Sequence, residues 1–89
     1  MNLKDLYEEK ALLKALERRE IRAFMKLYQD YGEDLLILAY MLLQNSRLAA
    51  LTVDIFFEDL WQNGQFDKIR PPIYKYLVEE IRKMCSQRP

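Results

Sequence analysis

The run Ser46-Arg47-Leu48-Ala49-Ala50-Leu51-Thr52-Val53-Asp54-Ile55-Phe56-Phe57-Glu58-Asp59-Leu60-Trp61 decides how the rest of this sequence is read. At about 100° per residue, Ala49, Val53, Phe56, Phe57 and Leu60 fall on one side, the stripe that a helix turns toward a core. Leu48, Leu51 and Ile55 fall within about 60° of one another on the opposite side, flanked by Asp54 and Glu58. A helix that is apolar on two sides needs two covers. Either another helix of the same domain covers the second stripe or a partner does. The intramolecular cover is the commoner solution, because soluble monomers seldom expose large apolar patches.

Working outward, Asn45-Ser46 reads as the N-terminal cap of this helix, which runs to Trp61 or Gln62. Upstream, Glu33 and Asp34 suit the start of a helix ending near Gln44. Its nine-residue run Leu35–Leu43 is apolar nearly all round, which predicts the buried centre of a bundle. Before it, Ile21, Phe24, Leu27, Tyr28 and Tyr31 share one face of a helix over about 20–31, and Gly32 is expected to break or kink the chain there. Leu3, Leu6, Tyr7, Leu13 and Leu16 give an amphipathic first helix, Leu3 to about Glu17. Downstream, Asn63-Gly64-Gln65-Phe66-Asp67 is a turn. Pro71-Pro72 is then placed in the first turn of a last helix reaching about Ser86, where a missing N–H costs nothing. The reading is an all-α bundle of four to five helices in one domain spanning residues 1–89.

Composition narrows the chemistry. Eighty-nine residues make one small domain that must bury roughly 60% of its unfolded surface. With no histidine and a single cysteine, Cys85, histidine-assisted nucleophiles, His-containing metal sites and internal disulfides are excluded. Two glycines are too few for a phosphate-binding glycine loop. The adjacent carboxylates Glu8-Glu9, Glu33-Asp34 and Glu79-Glu80 point about 100° apart on a helix and do not converge. No enzyme, cofactor or metal is therefore expected. A membrane span needs about 20 apolar residues, and the polar N-terminus is no signal peptide, so the expected location is cytoplasmic.

Fourteen Lys/Arg balance fourteen Asp/Glu, but unevenly. Residues 1–61 carry 8 bases against 11 acids, and residues 62–89 carry 6 against 3. In the last helix Ile73, Leu77, Ile81 and Met84, with Tyr74 and Val78 beside them, form the expected core face. Lys75, Glu79, Arg82, Lys83 and Ser86 lie outside, Tyr76 at the edge, and Arg88 follows near the C-terminal end. Bases interleaved with Tyr74 and Tyr76 could hold single-stranded nucleic acid by charge and stacking. The plainer reading is a solvated face with Lys75–Glu79 and Glu79–Lys83 pairs, each contributing a few tenths of a kcal/mol.

The order of motifs is also familiar. Leu12-Leu13-Lys14-Ala15-Leu16, Ala23-Phe24-Met25-Lys26-Leu27-Tyr28-Gln29-Asp30-Tyr31, Leu42-Leu43-Gln44-Asn45, then Ala49 to Trp61 with its Phe57-x-x-Leu60-Trp61 ending and Phe66-Asp67, resembles region 2 of extracytoplasmic-function (ECF) sigma factors. That bacterial family typically reads A-F-x-x-L-Y-x-x-Y, L-L-G-D, A-E-D-L-V-Q-E-V-F-x-x-L-W. The likeness covers about residues 11–86.

The resemblance implies a sigma region 2 fold that acts in transcription initiation by binding, without catalysis. Its polymerase-docking helix would contact the β′ clamp helices of core RNA polymerase through Leu48, Ala50, Leu51, Asp54, Ile55 and Glu58, held to the core by Phe57 and Trp61. Its DNA-binding side would present Lys68, Arg70, Lys75, Tyr76, Arg82 and Lys83 to the promoter −10 element, and an anti-sigma factor is a further implied partner. Several positions depart from the pattern. The family's acidic pair falls on Ala50 and Leu51, its Gln on Asp54 and the next Glu on Ile55. Glu79-Glu80 stands near its Arg/Lys-Asn pair, and Pro71-Pro72 replaces a small-residue–aromatic step. No region 4 follows in this sequence, so a fragment or a stand-alone remnant is expected. These departures keep open an alternative: a divergent sigma-like interaction module without promoter activity, which binds a protein, or itself, through Leu48, Leu51 and Ile55.

Overall fold

In the computed structural model, which describes residues 2–87, four helices follow one another: α1 Leu3–Glu17, α2 Ile21–Leu43, α3 Ser46–Asn63 and α4 Ile73–Ser86. A short 3-10 turn, Phe66–Lys68, lies between the last two. No strand occurs among the described residues. The start of α1, the end of α2 and the start of α3 have local causes. Asn2 Oδ1 accepts the Asp5 amide and Asn45 Oδ1 accepts the Leu48 amide, both at 2.9 Å, so each helix starts on a side-chain cap. Gln44 adopts a left-handed φ of 54° and donates its N–H to Tyr40 O at 2.7 Å, which lets the chain reverse within two residues.

Two expectations about α2 are overturned. Gly32 neither starts nor stops anything, because one 23-residue helix runs through it. A glycine costs a helix interior only about 1 kcal/mol, and burial of Leu27, Leu35 and Ala39 on either side of it outweighs that. Nor is Leu35–Leu43 buried all round. Leu35 and Ala39 are fully buried, whereas Leu36, Ile37, Tyr40 and Met41 are exposed. The reason is layer count: α2 packs against α3 and α4 and more lightly against α1, and a four-helix arrangement leaves its remaining side without a neighbour. For the same reason Leu3 and Tyr7 of α1 and Ile21 and Tyr28 of α2 lie exposed, although the periodicity placed them on core faces.

The core itself is one cluster drawn from every element, including Leu16, Leu27, Leu35, Phe57, Phe66, Leu77 and Ile81. In α4 the buried row is Ile73, Leu77, Ile81 and Cys85. Met84 and Val78 are only partly buried, and Tyr74 is exposed beside Tyr31, with ring centroids 5.8 Å apart. Pro71 and Pro72 precede α4 rather than opening it, and Pro72 offers no side-chain cap. Glu9 of α1 supplies one instead, its Oε1 accepting the Ile73 N–H at 2.5 Å. A carboxylate at a helix N-terminus also complements the dipole there. The expected i,i+4 pairs of α4 are replaced by one i,i+3 pair, Lys83 to Glu80 at 3.1 Å. Arg88 lies outside the described residues.

Among the described residues Thr52 is the one polar side chain in the buried set. Its Oγ1 has no hydrogen-bond partner, and an unpaired buried hydroxyl is costly while a same-shape apolar replacement is not. Thr52→Val is expected to raise stability by about 1 kcal/mol, seen as a Tm about 4–8 °C higher by circular dichroism. An unchanged or lower Tm would mean that the hydroxyl is satisfied in solution.

Candidate protein and nucleic-acid interface

The docking positions all lie on α3. One side of this helix is anchored: Ala49, Thr52, Val53, Phe56, Phe57 and Leu60 are buried. The anchor includes an aromatic cluster joining α2 to α3. Phe24 meets Phe57 edge-on at 6.0 Å and Trp61 at 4.9 Å, and Tyr28 meets Phe57 at 4.8 Å. Such pairs add about 0.5–1.5 kcal/mol each beyond their area. On the opposite side Leu48, Leu51 and Ile55 are 36%, 47% and 41% exposed, and Ala50, Asp54 and Glu58 are exposed with them. No helix of the described chain lies over this stripe. It is an apolar strip edged by two carboxylates.

The proposed DNA-side residues are split between two depressions. Lys68, Arg70, Lys75 and Tyr76 border a shallow one together with Glu79. Lys68 and Tyr76 are shared with a larger cleft of about 460 Å³, in which Lys83 stands beside Glu80. Arg82 borders neither and stays on the exposed side of α4. The cleft has an apolar floor of Phe56, Leu60 and Met84 and a rim of Asn63, Gln65 and Gln87. The sequence placed Phe56, Leu60 and Met84 in the core and Asn63 and Gln65 in a turn, but not around one cleft, since α3, the turn and α4 are brought together only by the fold. Burial raises the Tyr76 phenol above its ordinary value, helped by the charges of Glu80 and Asp59, so it is a neutral hydroxyl at physiological pH. Arg70 donates to the carbonyl of Asp67 at 2.8 Å, which ties the guanidinium to its own loop. Two ammonium groups, Lys68 and Lys83, share the cleft with two carboxylates, Asp59 and Glu80, so its charges balance around the apolar floor.

Arg19 was not anticipated as a structural residue. It sits at a left-handed φ of 58° in the α1–α2 turn. Its guanidinium donates to Gly64 O at 2.9 Å and stacks over Phe66 at 4.9 Å. This contact clamps the loop carrying Lys68 and Arg70 to the α1–α2 turn. Among the described residues no group of His, Cys, Asp or Glu side chains could hold a metal ion.

Among the described residues, fold and surfaces define a small all-helical domain with uncovered apolar faces on α2 and α3 and a mixed-charge cleft beside α4. No helix among the described residues is long and apolar enough to cross a membrane. Compared with known proteins, the chain matches no family model, no curated protein and no solved structure.

Proposed function

We propose that this chain is a sigma region 2-like binding domain. In this reading α3 docks on the β′ clamp helices of core RNA polymerase, and the surface formed by the 3-10 turn and α4 contacts the promoter −10 element. The observation that carries it is the exposure of Leu48, Leu51 and Ile55 on the helix that the family resemblance assigns to docking. The residues of the two motifs behind that resemblance, Phe24 and Tyr28 on one side and Phe57 and Trp61 on the other, also meet in a single cluster. That gives the motif spacing a physical purpose: it holds the docking helix in place. An anti-sigma factor covering the same stripe would compete with polymerase.

Binding of a fluorescent non-template −10 strand, with and without core polymerase, tests the reading. If Lys68, Arg70 and Lys75 each neutralise one phosphate, affinity falls about twentyfold between 50 and 200 mM salt. Leu51→Asp weakens polymerase binding by more than about tenfold, because it sets an unpaired charge in an apolar contact. Absence of binding to both ligands at low salt overturns the proposal.

One observation favours the second reading, an interaction module without promoter activity. Glu79 stands in the same depression as Lys75 and Arg70, and Lys83 is already paired with Glu80, so part of the cationic surface is neutralised. Polymerase binding that is lost in Leu51→Asp, with no DNA binding in either protein, selects that reading.

A further inference from the structure

A second uncovered face lies on α2. Leu36, Ile37, Tyr40 and Met41 are 39%, 51%, 52% and 66% exposed. Taking about 150–200 Å² for a whole side chain of this size, they leave roughly 300–400 Å² of apolar surface open, in the range of the largest patch on a typical monomer. The surface is also patterned. Ile37 and Tyr40 stand one turn apart with Leu36 and Met41 on their flanks, and Glu33 and Asp30, the latter paired with Lys26 at 2.9 Å, continue the same side toward the N-terminal half of the helix. Charge is graded along it. Asp30 and Glu33 stand on the N-terminal side of the apolar stretch, and Arg47 stands just past its C-terminal end, in the first turn of α3. Among the described residues neither Glu33 nor Arg47 takes part in an ion pair.

From this layout we infer that the C-terminal half of α2 is a homodimer interface, with two copies of the chain packed antiparallel about a two-fold axis between Ile37 and Tyr40. A two-fold contact must be complementary to itself, and this face is. With Ile37 set against Tyr40 of the second copy, Leu36 falls against Met41 of that copy, and Glu33 falls level with its Gln44, three residues before Arg47. A parallel arrangement would instead place Glu33 against Glu33. The apolar patch supplies about half of the roughly 800 Å² that each partner buries in a standard interface, and the charged ends supply a rim. The polymerase reading does not depend on this contact, whose apolar part lies on α2, whereas that reading assigns docking to Leu48, Leu51 and Ile55 of α3.

Sedimentation velocity on the full chain across a concentration series tests the inference. The wild type is expected to dimerise. Ile37→Asp and, independently, Met41→Lys are expected to weaken the dimer by more than roughly a hundredfold, since each buries an unpaired charge twice. Both positions are exposed in the monomer, so far-ultraviolet circular dichroism should be unchanged in both variants. Glu33→Arg and Arg47→Glu should each weaken it by roughly fivefold, acting twice by symmetry, and the double exchange should restore it. A protein monomeric at every concentration, a dimer indifferent to both α2 substitutions, or a double exchange no better than either single would each overturn the inference. So would a dimer lost in Leu51→Asp but kept in Ile37→Asp, which would place the contact on α3.

Discussion

Leu35→Ala should cost about 3 kcal/mol of stability, whereas Ile37→Ala, two positions further along the same apolar run, should cost less than about 0.5 kcal/mol. Leu35 is fully buried in the central cluster. Its truncation removes the transfer free energy of three carbons and leaves a cavity that a helix fixed on two sides cannot close. Ile37 is half exposed, and the methyl groups it loses were already in water. In thermal melts, at concentrations low enough to keep the monomer, the first variant should lose more than about 10 °C and the second only a few. Equal losses would mean that α2 is covered all round in solution, as its sequence alone suggests.

The two glycines should respond to alanine with opposite signs. A Cβ on Gly64 would lie 2.3 Å from the carbonyl oxygen of Leu60 and 2.9 Å from its Cδ1. The same carbonyl accepts the Gly64 N–H at 2.9 Å. The φ of Gly64 is −63°, so glycine is needed for room at the helix end and not for handedness. Relief requires moving backbone that also presents its carbonyl to Arg19, and we expect Gly64→Ala to lose about 2–3 kcal/mol, the upper range for overpacking. At Gly32 the added methyl meets nothing closer than the Tyr28 ring at 3.6 Å, an ordinary contact. Removing a helix-interior glycine there should gain about 0.5–1 kcal/mol. Urea denaturation of the two variants beside the wild type measures both, and a stable Gly64→Ala would show that the turn after α3 is looser than drawn.

How much of this was legible beforehand depended on whether the signal was local. Asn45 as a cap, the α1 boundaries and the core stripe of α3 follow from contacts within one turn of helix, and all are present. Gly32 misled because a helix breaker is a local signal that tertiary burial overrides, here through Leu27, Leu35 and Ala39. The cap that Glu9 gives Ile73 across 64 positions, and the Arg19 clamp onto Gly64 and Phe66, left no trace in spacing, since each joins elements distant in sequence. Of the DNA-side residues, periodicity could place Lys75 and Arg82 on one outer face of α4. That Lys68, Arg70 and Tyr76 gather around the same depression as Lys75 while Arg82 does not depends on how the 3-10 turn folds back.

By itself the sequence determined that the chain would be helical, where α1, α3 and α4 would begin and end to within a few residues, and that α3 would be apolar on two sides. Those properties depend on hydrogen bonds and side-chain directions set within a turn or two of backbone. Only the tertiary structure decided which greasy surfaces find a neighbour. Periodicity reports which residues could be buried, but a small bundle has fewer contact faces than this sequence has apolar ones. The uncovered outer faces of α2 and α3 are what remain, and on them rest both the proposed docking site and the inferred dimer.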